Sequence, residues 1–409
     1  MSASEFQRVA ERADAMQPFL AMEIMERAFA MERDGARIAH LEIGEPEFRA
    51  PKVVVDACVQ ALVGGETRYS DSRGLIELRE AIARDTRRRF GVEVAPERVI
   101  VSSGTSPAML MVFSLLVDPG DEVVLGTPHY PCYPNFIRYC GGVPVTVPTD
   151  ARAGYQLEAE AVREVITPRT RAIVVGSPGN PTGAVQHAET LRGLAELGLP
   201  LISDEIYDGL VYDDVKVTSA LEVSDEAFVL DGFSKRYAMT GFRLGYAIAP
   251  EWALRRLQIM GQNLFISPNR FVQHAGIAAL EHGGDAVKEM RAAYQERRDL
   301  IVEGLRGLGF GIPSLPEGAF YVLADARRFG ADSLALAFEL LERAHVGTTP
   351  GVDFGAAGEG MLRFCYAASE ETIERALESL GRILPELEER CAGTASATER
   401  EPGASSGTS

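Results

Sequence analysis

The chain has 409 residues, 46% of them hydrophobic and 24% charged, which is enough to bury one large core or two linked cores. Its formal net charge of -18 offers no basic surface, and this argues against nucleic-acid or anionic-membrane partners. The five cysteines are odd in number and lack CxxC spacing, so we expect no disulfide framework, no metal site and a cytoplasmic location. No stretch reaches the roughly 18 apolar residues of a membrane span, so we expect neither insertion nor export.

The first predicted element is an amphipathic helix over residues 20–34. Its apolar side chains recur at helical spacing, and Gly35 follows as a residue suited to end a helix. Residues 1–17 precede it as an N-terminal extension. We expect residues 18–44, the helix and the segment after it, to pack with a small C-terminal domain.

Seven short apolar runs, roughly 20 to 30 residues apart, begin at residue 98 and are typical of buried strands. They are RVIVSS, DEVVLG, VPVTVP, RAIVVG, PLISDE, AFVLDG and LGYAIAP. Helical stretches such as PAMLMVFSLL and HAETLRGLAELG lie between them. This alternation predicts an α/β fold in which helices cover a mostly parallel seven-stranded sheet. We assign residues 45–285 to this large domain.

A different pattern follows residue 285, where long helical stretches are separated by two strand candidates, AFYVLAD and MLRFCYA. This pattern indicates a smaller α+β domain over residues 286–391. Residues 392–409 are mostly small and polar and have no apolar periodicity. We expect them to form a disordered tail.

Several polar residues follow predicted strand ends, where open α/β sheets bind ligands. Thr105 and Ser106 open a predicted helix, so their backbone N–H groups are placed to hold an anion. Asn180 lies in the turn SPGNPTG, and Asp204 ends a strand with Tyr207 three residues later. Each of these also has an ordinary structural explanation as a helix cap or a rigid turn.

Further candidates lie in the same kind of position. Lys235, one of only four lysines, has Ser234 beside it and Arg243 eight residues on. Tyr130 lies between prolines, and Arg363 interrupts an apolar strand. An amine, an anion cradle, a carboxylate, a phenol, an amide, a flat aromatic ring and two arginines are together the groups that hold pyridoxal phosphate and an amino acid.

The chain resembles the fold type I pyridoxal phosphate enzymes of the class I and II aminotransferase family from about residue 18 to residue 390. The motifs that carry the resemblance, in family order, are LEIGEPEF, RYSDSRGLIELREAI, SSGTSPA, PHYPCY, SPGNPTG, SDEIYDGL, GFSKRYAMTGFRLGY, PEGAFYVL and LRFCYA. The resemblance implies an aspartate aminotransferase-like enzyme. Such an enzyme moves an amino group between an L-amino acid and a 2-oxo acid by a ping-pong mechanism.

The resemblance also implies catalytic roles. Lys235 is expected to form the internal aldimine and to move the proton between substrate and cofactor. Asp204 is expected to keep the pyridine nitrogen protonated. Asn180 and Tyr207 are expected to bond the phenolic oxygen, and Tyr130 to stack on the ring.

The phosphate is expected to lie on the N–H groups of Thr105 and Ser106. Arg243 would add charge and Ser234 a hydroxyl. Tyr69 matches a tyrosine that reaches this phosphate from the other subunit, which implies a homodimer with shared active sites.

The substrate α-carboxylate is expected to bind Arg363 through a two-pronged pair, with Asn180 and the Gly44 backbone beside it. Two positions depart from the pattern of many relatives. Gly232 replaces a serine that binds phosphate, and Ser106 stands where some aspartate-specific relatives have a lysine. Dicarboxylate specificity therefore stays open.

Two other functions remain as alternatives. The first is another reaction on the same scaffold, such as a β-elimination lyase, a racemase or a decarboxylase, because these enzymes share the aldimine chemistry. The second is a non-catalytic regulator that binds pyridoxal phosphate. Such regulators carry a DNA-binding module before this fold, and the acidic charge and the short segment before LEIGEP argue against one here.

Overall fold

The computed structural model describes residues 9–398, with side chains described for residues 9–393. The helices are α1 (Glu11–Asp14), α2 (Leu20–Arg33), α3 (Lys52–Val63), α4 (Ile76–Phe90), α5 (Thr105–Leu116), α6 (Cys132–Tyr139), α7 (Ala159–Val165), α8 (Ala188–Ala195), α9 (Glu251–Leu264), α10 (Arg270–His282), α11 (Gly284–Gly307), α12 (Ser333–Ala344) and α13 (Glu370–Thr398). The strands are β1 (Ala39–His40), β2 (Val99–Ser102), β3 (Glu122–Thr127), β4 (Val143–Pro148), β5 (Thr170–Gly176), β6 (Leu201–Asp204), β7 (Phe228–Gly232), β8 (Gly245–Ile248), β9 (Tyr321–Asp325), β10 (Val346–Gly347), β11 (Thr349–Pro350) and β12 (Met361–Cys365).

A seven-stranded sheet in the order β2-β8-β7-β6-β5-β3-β4 forms the centre of the large unit. Each of the seven predicted apolar runs supplies one of its strands, so the predicted fold class is confirmed. The pairs from β7 to β4 are parallel, whereas β8 is antiparallel to both of its neighbours. Except in the edge strand β4, nearly all strand residues are buried, and this burial on both faces explains why these strands are apolar along their length rather than alternating.

Successive side chains of each strand enter two different cores. In β2, Val99 and Val101 belong to the core that includes residues of α4, α7, α8 and α10, while Ile100 between them belongs to the core that includes residues of α5, α6 and α9. The parallel strands all end at the same edge. Gly176 at the end of β5 lies in register with Asp204 at the end of β6, so the loops that follow converge there.

The C-terminal unit contains the antiparallel sheet β11-β12-β9. Its core is shared with the N-terminal segment: β1 pairs in parallel with β10, and Ile24 and Ala28 of α2 pack with apolar side chains of α11, α12 and α13. The amphipathic helix predicted over residues 20–34 corresponds to α2. The N-terminal segment thus reaches the cavity from the side of the C-terminal unit.

The ends of the chain differ in part from prediction. The last helix runs from Glu370 to Thr398, so residues 392–398 of the predicted disordered tail are helical. Alanines in this stretch favour continuation of the helix. The remaining part of the predicted tail, 399–409, and residues 1–8 of the predicted extension lie outside the described residues. Among residues 9–398, no helix is long and apolar enough to cross a membrane.

Candidate active site

A cavity of about 300 Å³ lies at the carboxyl edge of the parallel strands. It contains every site residue predicted from the sequence except Tyr69. Those that line it are Gly44, Thr105, Ser106, Tyr130, Asn180, Asp204, Tyr207, Ser234, Lys235, Arg243 and Arg363. They come from loops and element ends spread over more than 300 positions of sequence, and the fold brings them together.

Lys235 lies just beyond the end of β7, half-buried in the cavity wall. Its Nζ donates a hydrogen bond of 2.6 Å to the carbonyl oxygen of Gly44. Burial lowers the pKa of Lys235 to about 8, and the positive charges of Arg363 and Arg243 act in the same direction. An amine with this pKa is partly neutral near physiological pH, which a nucleophile and proton carrier requires.

Asp204 ends β6 at the floor of the cavity. Its Oδ2 accepts a hydrogen bond of 2.8 Å from the hydroxyl of Tyr133, and its Oδ1 accepts one of 3.3 Å from the backbone N–H of Ile206. Burial raises the pKa of Asp204 to about 6, against the effect of these hydrogen bonds. Among the described residues no lysine or arginine forms an ion pair with it. A buried carboxylate without its own cation fits a protonated ring nitrogen supplied by a cofactor.

The N-terminus of α5 and Arg243 form an anion cradle. No side chain caps α5, so the first backbone N–H groups at Thr105 and Ser106 face the cavity. A Cβ on Gly104 would lie 2.5 Å from Nη2 of Arg243, so only glycine lets the guanidinium approach so closely. Arg243 donates to the carbonyl of Thr240 at 2.9 Å and has no acidic partner in the described chain. This donor set fits a phosphate group.

Arg363 lies within β12 and is 2% exposed. Its guanidinium donates to Oδ1 of Asn180 and to Oγ1 of Thr349, each at 2.9 Å, and to the carbonyl of Glu42. No carboxylate of the described residues pairs with it, and its Nε has no partner there. A buried positive charge that faces only neutral oxygens fits a negatively charged ligand.

Tyrosine side chains complete the cavity. The hydroxyls of Tyr207 and Tyr321 lie 2.7 Å apart and are hydrogen-bonded. The ring of Tyr130 meets the ring of Tyr133 edge to face, with 5.3 Å between centroids, and burial raises the pKa of its phenol well above the ordinary value. A Cβ on Gly44 would overlap the Tyr321 hydroxyl, so the close approach of the two segments requires glycine.

Sequence reasoning missed Tyr133, Tyr321, Glu42 and Thr349. The first two lie inside the quoted motifs PHYPCY and PEGAFYVL, which gave a usable signal. Glu42 also lies inside a quoted motif, LEIGEPEF, but it binds Arg363 through its backbone carbonyl, and Thr349 binds Arg363 through a hydroxyl outside every quoted motif, so neither contact has a local sequence signal. Tyr69, in contrast, lies away from the cavity and is 80% exposed. Within residues 9–398, no cluster of three or more metal-ligating side chains is present.

Comparison with known proteins gives consistent results. The sequence pattern of the family "Aminotransferase class I and II" matches residues 36–380. The aspartate/prephenate aminotransferase of Thermus thermophilus is 39% identical over 383 residues, covering 92% of this chain and 98% of that protein. The valine–pyruvate aminotransferase of Mycobacterium tuberculosis is 37% identical over 385 residues, covering 92% of this chain and 99% of that protein.

The fold agrees as well. The solved structure of Thermus thermophilus aspartate aminotransferase with maleate superimposes with a TM-score of 0.89 at 40% identity, covering 93% of this chain and all of that one. The matched region includes both sheets and every side chain that lines the cavity from residue 42 onwards. The chain therefore belongs to the class I and II aminotransferases, a pyridoxal phosphate-dependent family with the type I fold, and it is an aminotransferase.

Proposed function

We propose that this aminotransferase moves an amino group between an L-amino acid and a 2-oxo acid in two half-reactions, with Lys235 as the residue that holds the cofactor and moves the proton. The observation that carries the proposal is the position of Lys235 Nζ in one cavity with Asp204 and Arg363, two buried charges that form no ion pair with any described residue. Pyridoxal phosphate, when bound, supplies a ring that withdraws electrons from the reacting carbon.

Lys235 acts as the base. Its pKa of about 8 leaves a useful fraction of neutral amine at physiological pH, and the Gly44 carbonyl orients Nζ. Nζ, when it is not attached to the cofactor, would accept the proton from the substrate α-carbon and deliver it to the cofactor carbon bonded to the transferred nitrogen, and the second half-reaction would reverse this transfer. Asp204 holds the ring nitrogen, and its hydrogen bond from Tyr133 keeps the carboxylate in one orientation.

The other residues bind and orient. Thr105, Ser106, Ser234 and Arg243 would hold the phosphate with N–H, hydroxyl and guanidinium donors. Tyr130 would stack on one ring face, and Asn180 and Tyr207 would donate to the phenolic oxygen.

Arg363 binds the substrate α-carboxylate. Its contacts with Asn180, Thr349 and the Glu42 carbonyl fix the plane of the guanidinium before substrate arrives, so little ordering remains to be done on binding. The Gly44 backbone lies beside it and closes this side of the cavity.

A homodimer completes this proposal. Tyr69 is 80% exposed and too far from the cavity of its own chain to line it, and Arg243 is also exposed. Apolar side chains near Tyr69 in sequence are exposed as well, and these are Val55, Val59, Leu62 and Val63 of α3.

Tyr69→Phe should weaken cofactor binding without changing the mass of the dimer. Cofactor titration measures the binding, and sedimentation measures the mass. A monomeric protein would contradict the dimer.

We also propose a cytoplasmic location, because all five cysteines are free, as a reducing compartment favours.

The first experiment tests the attachment residue. Borohydride reduction of the cofactor-loaded protein should fix the cofactor on the peptide that contains Lys235. A modified peptide containing Lys52, Lys216 or Lys288 would overturn the assignment. Lys235→Ala should lose nearly all turnover while the phosphate cradle still binds cofactor.

The second experiment tests the reaction. Incubation with an amino-acid panel and either 2-oxoglutarate or pyruvate should convert the oxo acid stoichiometrically into its amino acid. Release of ammonia, carbon dioxide or a racemic amino acid without that conversion would indicate one of the other reactions on this fold. The names of the relatives given above state different amino-acid substrates. These names therefore do not identify the amino-acid substrate of this protein.

A further inference from the structure

Given the aminotransferase function proposed above, we infer that the cavity selects substrates with a single carboxylate and an apolar side chain, and that it discriminates against dicarboxylates such as aspartate. The inference rests on which charges line the cavity, what covers its remaining wall, and where the nearest acidic side chains lie.

The cationic side chains that line the cavity are Lys235, Arg243 and Arg363. Each already has a role. Lys235 holds the cofactor, Arg243 lies over the N-terminus of α5 in the phosphate cradle, and Arg363 is buried against Asn180 to receive the α-carboxylate. The described chain places no further lysine, arginine or histidine in the wall, so this chain offers a second carboxylate no ionic partner there.

Apolar side chains cover much of the remaining wall. The start of the N-terminal helix contributes Phe19, Ala21 and Met22, and Ile43 and Met109 also line the cavity. Phe19 also meets the ring of Tyr130 edge to face, at 6.2 Å between centroids. A carboxylate desolvated against such a wall loses hydration and gains no hydrogen bond, whereas a leucine or phenylalanine side chain buries apolar surface.

The N-terminus of α2 contributes to this wall and resembles an anion site, but it is already filled. The backbone N–H groups of Leu20 and Ala21 donate to Oδ1 and Oδ2 of Asp353 at 3.1 and 3.3 Å. Asp353 is therefore the internal anion of this helix end. Because it satisfies these donors, they are not available to a substrate carboxylate.

Acidic side chains also lie on two sides of the cavity. Asp353 lies behind the apolar wall, and the carboxylate of Glu45 accepts a hydrogen bond from Thr240, which lines the cavity. Both would repel a second substrate carboxylate. The electrostatic environment beyond Arg363 thus favours a neutral side chain.

Unreactive carboxylic acids test this selection without turnover. With the cofactor-loaded protein, 4-methylpentanoate and 3-phenylpropanoate should bind at least tenfold more tightly than succinate, as measured by the change in cofactor absorbance and by the rise in thermal midpoint. Equal or tighter binding of succinate would overturn the inference, and it is also the result expected if the partner subunit supplied a cation to this wall.

A half-reaction panel separates this inference from the proposed function. Leucine and phenylalanine should convert the cofactor spectrum with a higher kcat/KM than aspartate. Faster conversion by aspartate would overturn the substrate class and leave the aminotransferase intact. Failure of every amino acid to convert the spectrum would instead overturn the proposed function.

A charge inserted into the wall gives a second test. Met22 is 42% exposed on α2, so Met22→Lys should fold and should shift the binding ratio of succinate to 4-methylpentanoate at least fivefold towards succinate. The matched control is Met16→Lys, which adds the same charge at a 46% exposed methionine outside the cavity and should leave the ratio unchanged. If the binding ratio of succinate to 4-methylpentanoate were the same in both variants, Met22 would not contact the substrate side chain and the inference would be overturned.

Discussion

The hydroxyl of Tyr133 donates a 2.8 Å hydrogen bond to Oδ2 of Asp204, which joins the first turn of α6 to the end of β6. This contact opposes the effect of burial, which raises the pKa of Asp204 to about 6. Because the folded pKa is raised, the carboxylate loses its charge as pH falls through about 6. Its attraction for a protonated ring nitrogen is lost over the same interval.

Tyr133→Phe should therefore move the pH dependence of cofactor binding to higher pH. Removing the hydroxyl takes away a hydrogen bond to the charged form, so the pKa of Asp204 rises further. Dissociation constants of the cofactor should be measured from pH 5 to 8. In this variant the cofactor affinity should fall with decreasing pH, with a midpoint above 6. Asp204→Asn is the reference, because it removes the contribution of this group at every pH. Superimposable curves for wild type and Tyr133→Phe would show that the contact does not tune Asp204.

Lys235 should be the most reactive lysine of the cofactor-free protein at pH 8. With its pKa lowered to about 8, half of the amine is neutral at that pH, whereas an ordinary lysine is neutral in about one molecule in 300. Acetic anhydride labelling, followed by peptide mass analysis, should give a reactivity that rises with pH through about 8. Lys52 and Lys288 are exposed internal controls. A Lys235 midpoint near the ordinary lysine value of about 10.4 would contradict the lowered pKa.

Arg363→Lys should lower kcat/KM for every amino-acid substrate by about ten- to a hundred-fold. The substitution keeps the charge but loses the planar two-pronged match, and a hydrogen bond to a charged group contributes about 1.5 to 3 kcal/mol. Cofactor affinity should hardly change, because the phosphate cradle lies elsewhere.

The matched control for Arg363 is Arg298→Lys. Arg298 is also 2% exposed, but it forms ion pairs with Asp213 and Asp299 and lies outside the cavity. Its substitution should lower the thermal midpoint and leave kcat/KM nearly unchanged. The carboxylate role of Arg363 fails if its variant behaves in the same way as the Arg298 variant.

Gly44→Ala should reduce turnover by at least tenfold through steric overlap with the Tyr321 hydroxyl. The methyl group has to push Tyr321 away from Tyr207 or move the segment that orients Lys235. Steady-state kinetics and the thermal midpoint measure the two effects. Gly307→Ala is the control, because a Cβ there meets no atom within 4 Å. Equal activity of both variants would show that the close approach at Gly44 has no catalytic consequence.

Most of the sheet was predictable from the sequence, for a physical reason. A strand that is buried on both faces must be apolar along its whole length, and runs such as RAIVVG carry that signal without any partner. The two-residue strands β1, β10 and β11 are too short to show any periodicity. The antiparallel direction of β8 was also hidden, because apolar runs carry no information about direction.

The site followed the same division. Side chains inside compact motifs, such as Lys235 and Asn180, were predictable as candidates because unusual residue types cluster there. Contacts between residues that are far apart in sequence were not predictable. Tyr207 and Tyr321 are 114 positions apart, and their hydrogen bond depends on the packing of two sheets rather than on any local pattern. The occupation of the α2 N-terminus by Asp353 was hidden for the same reason.

The pairing of β1 with β10 also bears on how the chain folds during synthesis. The hydroxyl of Thr349 binds the carbonyl of Glu42 across 307 positions of sequence, and the Arg363 guanidinium binds the same carbonyl. Helix α2 is synthesised early, but its apolar face is covered only after nearly the whole chain has been synthesised. Contacts between residues so far apart in sequence slow folding. Until these contacts form, the uncovered apolar face of the helix is prone to aggregation. The central sheet can assemble earlier, so the anion cradle of Thr105, Ser106 and Arg243 can form before Arg363 has been synthesised.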